Sequence, residues 1–386
     1  MTIEQPINNI STNMMTLFCG LMFSLPGLKF FYFSGILNIL VSVSIVLTLL
    51  LSCAIGRMKF PPIAYYVVVF WFFFFFSFFI FGFEVYEEIG LMEFSRYVSL
   101  PFLLFSLLFG YNLINIDFLL SYIICWSLLL AALYWLGFIV PTGAGSLSYL
   151  ILSMQIGMGY TVLLSRIACS RKDSAFGWFF LFFLFFSILS LPGRASLFLC
   201  IFITLFLISI YVVTFYKKKF IRIVVCTLMF SFAGVYFYEA LKPYIFNEFL
   251  YAKIVALIGG DDPRFNIYIE AFHLIMDSPF GLGLGGYLRY FEAYPHNIFL
   301  EIALNSGVFT AGLFLVFCML WFFVNLYDLF VKRSRDVKSL SLFILSFYLL
   351  SLWNFSNDFG SSYSLLFVMS LSIVYTLNKY SRKGFE

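Results

Sequence analysis

The sequence predicts an all-α polytopic membrane protein, about twelve transmembrane helices with one large, partly helical outer loop, and three observations carry that reading. Of its residues 63% are apolar and 11% charged, with a mean hydropathy of +1.00, too little polar surface for a soluble domain. The apolar residues fall into windows of about twenty, the helix length that crosses a hydrocarbon core of about 30 Å. Lys and Arg are divided unevenly among the intervening loops, which is a topology signal and no sign of nucleic acid.

Spans are expected near 14–34, 36–56, 62–83, 94–115, 117–140, 147–168, 176–192, 195–216, 220–240, 297–327, 339–356 and 361–378. The first contains Pro26 and Lys29. The first thirteen residues hold no Lys or Arg and no clear cleavage site follows, so a cleaved signal peptide is not expected. The run Phe72–Phe76 reads as a packed or lipid-facing helix. The seven cysteines lie in or beside apolar segments without paired spacing and read as small buried hydrophobes, neither a zinc site nor a disulfide framework. No internal repeat or second domain is visible, so 1–386 reads as one integral membrane domain.

Twelve spans put both termini on one side. Lys29, Arg96, Arg194, Lys242, Lys253, Arg264 and Arg289 fall on the other, with Glu84, Glu87, Glu88 and Glu93; the other sixteen of the 23 basic residues share the side of the termini. By the positive-inside rule that side is cytoplasmic, and 241–296 becomes one large outer loop. On the same outer face Leu191-Pro192-Gly193-Arg194-Ala195-Ser196 joins two spans by a short turn, leaving Arg194 alone at the interface. Such an Arg ordinarily snorkels to lipid headgroups.

The segment from Asp261 to Gly307 is not shaped by the need to sit in lipid. Asp262-Pro263 opens a helix, Asp as cap and Pro at the first position, and capping is the role expected of Asp261 and Asp262 ahead of metal binding. Arg264 then lies in the first turn, where its forked donors add to the positive end of the helix dipole, a pairing suited to phosphate. Spacing puts Asn266, Glu270, His273 and Asp277 on one stripe and Arg264, Tyr268, Ala271 and Ile275 on another. His273 therefore reads as a solvated face residue outside the site. After Pro279, the run Gly281-Leu282-Gly283-Leu284-Gly285-Gly286 lets backbone approach a ligand or another helix closely. Tyr294-Pro295-His296-Asn297 opens the next apolar helix, with Asn297, Glu301 and Asn305 four apart. Polar groups at that depth are expensive, so this stripe is expected to wall a cavity, helix-to-helix hydrogen bonds being the alternative.

Arg264, the Gly-rich run and Pro-His-Asn-x-x-Leu-Glu leading into a membrane helix resemble the shared loop of the O-antigen polymerase and O-antigen ligase superfamily. Arg194 in its Gly-Arg-Ala-Ser turn resembles the superfamily's Arg in a short turn between two spans, with Gly before it where Ser is frequent, and the Gly-rich run is denser than the family pattern. The resemblance extends over the topology as a whole and, as motif, Arg194 and roughly 264–312. It implies a fold similar to the C-type glycosyltransferases, in the bacterial inner membrane, with the outer loop periplasmic. It also implies glycosyl transfer from an undecaprenyl-pyrophosphate-linked oligosaccharide to an acceptor sugar hydroxyl, inverting and independent of metal or other cofactor. In that reading Arg194 and Arg264 stabilise the leaving pyrophosphate, His296 handles the acceptor's proton, and Asn297, Glu301 and Arg289 contact substrate. Its partners are lipid-linked donor and acceptor, membrane lipid, a flippase and a chain-length regulator.

Within the superfamily the acceptor is another lipid-linked repeat for a polymerase, lipid A-core for a ligase, or a protein hydroxyl. High aromatic content, 23%, and compact length favour polymerase. A flippase or other transporter is the reading from a different class, but transporters commonly carry repeated halves and charge near the midplane, and neither is present.

Overall fold

The computed structural model describes residues 4–28, scattered positions between 40 and 50, 62–82, 84, 91–140, 148–170, 175–191, 193–214, 263–291, 295–355 and 359–383. The expected span 220–240 and the loop residues 241–262 lie outside the described residues, as does most of the span at 36–56.

Among the described residues the fold is helical, with no strand. In chain order it runs α1 (Glu4–Leu28), α2 (Pro62–Phe81), α3 (Leu91–Phe109), α4 (Ile116–Trp135), α5 (Ser148–Cys169), α6 (Ala175–Ser190) and α7 (Arg194–Thr214). It continues with α8 (Pro263–Asp277), α9 (Ile298–Leu326), α10 (Val337–Trp353) and α11 (Tyr363–Lys383). Four of these are long and apolar enough to cross a membrane: Pro62–Phe81, Ile116–Trp135, Tyr149–Cys169 and the run Ile298–Val331. Thr12–Leu28, Phe94–Phe109, Ala175–Ser190, Ala195–Ile210 and Val337–Trp353 are apolar but shorter. The sequence windows join helix to apolar turn, so they overstate helix length. Thus the window 117–140 holds α4, 20 residues, and the turn after it, whereas the window 176–192 nearly coincides with α6, whose 16 residues span roughly 24 Å at ~1.5 Å per residue. In α11 the apolar character is diluted by Ser364, Ser370, Ser372 and Thr376, all buried inside the bundle.

Two packed groups make the bundle. In one, α5 is the centre, lying against α1, α4, α6, α7 and α10. Several polar groups inside it are paired: Trp126 Nε1 donates to Gln155 Oε1 at 2.8 Å, Ser127 Oγ to the Gln155 carbonyl at 2.6 Å, and the Tyr348 hydroxyl to the Ser153 and Met154 carbonyls at 3.4 and 3.3 Å; among the described residues Gln155 Nε2 has no partner. In the other, α2 packs on α3, α9 and α11. Its Phe run splits by helical period. Trp71, Phe74, Phe75 and Phe78 face inward against Phe314, Phe317 and Phe359, while Phe72, Phe73 and Phe76 face outward, so the run is packed on one side and exposed on the other.

Polar contacts sort the helix ends. At one end the Asn115 amide donates to Thr16 Oγ1, Arg166 reaches the Asp117 carbonyl, and Lys338 pairs with Asp117 at 2.6 Å. At the other lie Tyr97, Tyr149, Ser187, Gly193 and the start of α9. Arg166, Lys338 and Lys379 lie at the first end, and Arg96 and the backbone of Arg194 at the second.

Candidate functional site

At the second end the helix α9 is broken. Gly307 takes φ 82° and ψ 170°, so the chain leaves helical geometry inside a run that resumes at once. A break in a membrane helix frees backbone groups that lipid cannot satisfy, and they must find partners in protein. Pro279 and the Gly-rich run after it supply them. The Leu282 amide donates to the Leu304 carbonyl at 2.6 Å, the Val308 amide donates to the Pro279 carbonyl at 2.9 Å, and the Gly285 amide donates to Asn305 Oδ1 at 3.0 Å. A Cβ on Gly281, whose φ is 95°, would sit 2.7 Å from the Gly307 amide nitrogen, and one on Gly307 would sit 2.5 Å from the Pro279 carbonyl oxygen. Close backbone approach therefore needs glycine on both sides. Of the two partners that the run allows, ligand or helix, the structure shows the helix.

The stripe below it holds the elements together. Asn297 caps α9, its Oδ1 accepting from the amides of Phe299 and Leu300 at 3.0 and 3.1 Å. Glu301, with no exposed surface, accepts from the Tyr97 hydroxyl at 2.5 Å and from the Phe359 amide at 2.8 Å, which ties α3 and the turn before α11 to α9. Asn305 is equally buried, and among the described residues its Nδ2 has no hydrogen-bond partner. Of the two roles expected of this stripe, the oxygens of its three side chains show hydrogen bonding, and together they form a seam, because internal pairing is the cheapest way to keep polar groups at that depth.

Between the loop and the seam sits His296. It is half-buried, its Nδ1 is buried, and it takes φ 53°, a left-handed conformation that non-glycine residues seldom adopt. Such strain costs on the order of 1–3 kcal/mol and persists where the surroundings over-determine it, as they do between Pro295 and the cap at Asn297.

The helix α8 packs on the first half of α9. Ala271 and Ile275 are buried with Tyr287, Phe291, Ala303 and Leu304. Asn266, Glu270, His273 and Asp277 are exposed, as their spacing predicts. Arg264 occupies the register of the packed stripe, and its side chain lies outside the described residues. So does that of Arg194, the first residue of α7. The turn that carries Arg194 is set against α5: a Cβ on Gly193 would meet Ser153 Oγ at 2.5 Å, and Ser196 Oγ donates to Ser153 Oγ at 3.2 Å. Arg289 ends the short turn Gly286–Arg289 and is exposed. The structure thus brings His296, Asn297, Glu301 and the Gly-rich run together, and sets the start of α7 at the same end. Among the described residues no three His, Cys, Asp or Glu side chains come together as metal ligands.

Sequence reasoning missed Tyr97, Ser153 and the break at Gly307. A signal existed for each: Arg96-Tyr97 is a polar pair opening an apolar span, Ser153 is one helical turn from the start of α5, and Asn305-Ser306-Gly307 interrupts an otherwise apolar run.

Residues 179–315 match a family model described as O-Antigen ligase. No curated protein matches the chain.

Proposed function

We propose, on the premise that the chain is a member of the O-antigen polymerase and ligase superfamily by its domain at 179–315, that it transfers a glycan from a lipid pyrophosphate to a sugar hydroxyl. The observation that carries this is where the matched segment lies. It starts before the Arg194 turn and ends beyond Gly307, so Arg194, Arg264, the Gly-rich run, His296 and the seam all fall inside it.

In this mechanism the bond between the anomeric carbon and the pyrophosphate oxygen breaks, and a bond from the acceptor oxygen to that carbon forms on the opposite face. The pyrophosphate leaves with the electron pair, so charge develops on phosphate. Arg194 and Arg264 hold that charge bidentately, aided by the positive dipole end of α7. His296 takes the acceptor hydroxyl's proton at a ring nitrogen and is returned to the neutral form by solvent. The seam at Asn297 and Glu301 then acts chiefly by holding His296 in its strained position, and Arg289 adds cation density on the exposed side. The site faces the periplasm and the termini the cytoplasm of a bacterial inner membrane.

The acceptor we propose is another lipid-linked repeat unit, making the protein an O-antigen polymerase that works beside a flippase and a chain-length regulator. The description of the matched family favours a second reading, a ligase acting on lipid A-core. A gel of the cell's lipopolysaccharide after gene deletion separates them. Core bearing a single repeat supports polymerase, core bearing none supports ligase, and an unchanged ladder contradicts both.

A further inference from the structure

A second built feature lies at the opposite end of the bundle. There a π-turn at Tyr327–Val331, the loop 332–336 and the last turns of α11 enclose an open cavity of about 1430 Å³. Its walls are of two kinds. Phe323, Tyr327 and Phe330 form an apolar side on the outward face of α9 and its extension, while Lys332, Arg333 and Arg335 form a cationic rim. The nearby acids are engaged from within. Asp328, 3% exposed, accepts from Ser339 Oγ at 2.7 Å and from the Tyr380 hydroxyl, and pairs with Lys379 at 3.0 Å. Asp336 caps α10 through the Lys338 amide at 3.0 Å and accepts from the Tyr375 hydroxyl at 2.8 Å. Lys379 is shared by both acids, lying 3.8 Å from Asp336 as well, so two carboxylates and one cation behind the rim stand against its three cations and the balance stays positive.

The rim is also fixed in place. Arg333 takes φ 47°, and the loop is pinned by the Ser334 amide on the Asp328 carbonyl at 3.0 Å and the Lys332 amide on the Tyr327 carbonyl at 3.1 Å. Lys379 reaches Ser334 Oγ from α11. Lys332 Nζ lies 5.5 Å from the Tyr327 ring centre and 5.8 Å from that of Tyr380, so aromatic faces steady the cation beside the apolar wall. A solvated basic loop that only marks topology needs no strained backbone and no cavity.

We infer that this cavity binds the headgroup of an anionic phospholipid, its phosphate on Lys332, Arg333 and Arg335 and an acyl chain along Phe323, Tyr327 and Phe330. Charge complementarity selects an anion, and the continuity of the rim with an outward-facing apolar helix surface selects a lipid over a free phosphate, which would leave that wall uncovered.

Purified full-length protein is titrated with phosphatidylglycerol, phosphatidylcholine and inorganic phosphate, with retained lipid counted by native mass spectrometry and unfolding followed by temperature. Phosphatidylglycerol is expected to be retained and to raise the melting temperature well beyond the other two. The variant Lys332→Gln, Arg333→Gly, Arg335→Gln is expected to lose that preference by roughly tenfold or more, since each interfacial cation adds about 1 kcal/mol toward anionic lipid. Glycine at 333 suits the positive φ, so folding is retained. A control that removes Arg171 and Lys172 should keep the preference. Equal retention of the two phospholipids, displacement of lipid by inorganic phosphate, or an equal loss in the control would overturn the inference.

Discussion

At Glu301 a carboxylate without exposed surface accepts from the Tyr97 hydroxyl and the Phe359 amide, so its replacements should differ in a way that identifies the seam. Glu301→Gln keeps an acceptor for the amide and a polar group for the hydroxyl. Glu301→Ala strands a buried amide and should cost about 1–3 kcal/mol, seen as a lower melting temperature of the purified protein. Gly281→Ala should be worse than its size suggests, because the added Cβ meets backbone at 2.7 and 2.8 Å and φ is 95°. A loss of more than about 1 kcal/mol is expected, with glycan transfer falling alongside stability. The proposed catalytic residues should behave differently, with folding intact. His296→Ala is expected to slow transfer about 10²–10⁴-fold while donor binding persists, and His273→Ala, on the exposed face of α8, should be neutral in the same assay.

At the scale of the element, α9 organises the site by being interrupted. Its first half, 298–306, starts from the Asn297 cap and carries the seam; its second half crosses the bundle; and the Gly-rich run closes the gap at Gly307 by hydrogen bonds to both sides. Asn297→Ala should therefore destabilise by about 0.5–2 kcal/mol through loss of the cap, with Asn297→Asp close to wild type in the same melting experiment. Much of this region was legible beforehand. The start of α8 at Pro263, its polar and packed stripes, and the close approach of the glycines all follow from local rules that a sequence displays. What stayed hidden were the partners. Nothing in the spacing of Asn297, Glu301 and Asn305 says that Tyr97 lies opposite Glu301, because that pairing spans 204 positions and depends on how α3 packs. The same limit left the hydrogen bonds of the stripe as one of two open roles in the sequence.

For the molecule as a whole, composition and window length suffice for an all-helical membrane bundle, but window counting overestimates helix length where an apolar turn adjoins a helix, as 136–140 adjoins α4. Arg166, Lys338 and Lys379 lie at one end of the bundle and Arg96 and the backbone of Arg194 at the other; which end is cytoplasmic is a prediction of the positive-inside argument. A reporter fused after Lys218 should be cytoplasmic and one fused within 247–258 periplasmic, and a shared compartment would undo the orientation and the location of the site together. The central claim is that arginines at one end of this bundle stabilise a departing lipid pyrophosphate. It is tested most directly by purified protein given lipid-linked repeat units, with sugar ladder and released lipid pyrophosphate measured together and chelator present. Wild type should be active with chelator, Arg264→Ala and Arg194→Ala inactive, and the two Lys variants partly active, because a point charge replaces a planar fork. Full activity in Arg264→Ala, or activity abolished by chelator alone, would contradict the account.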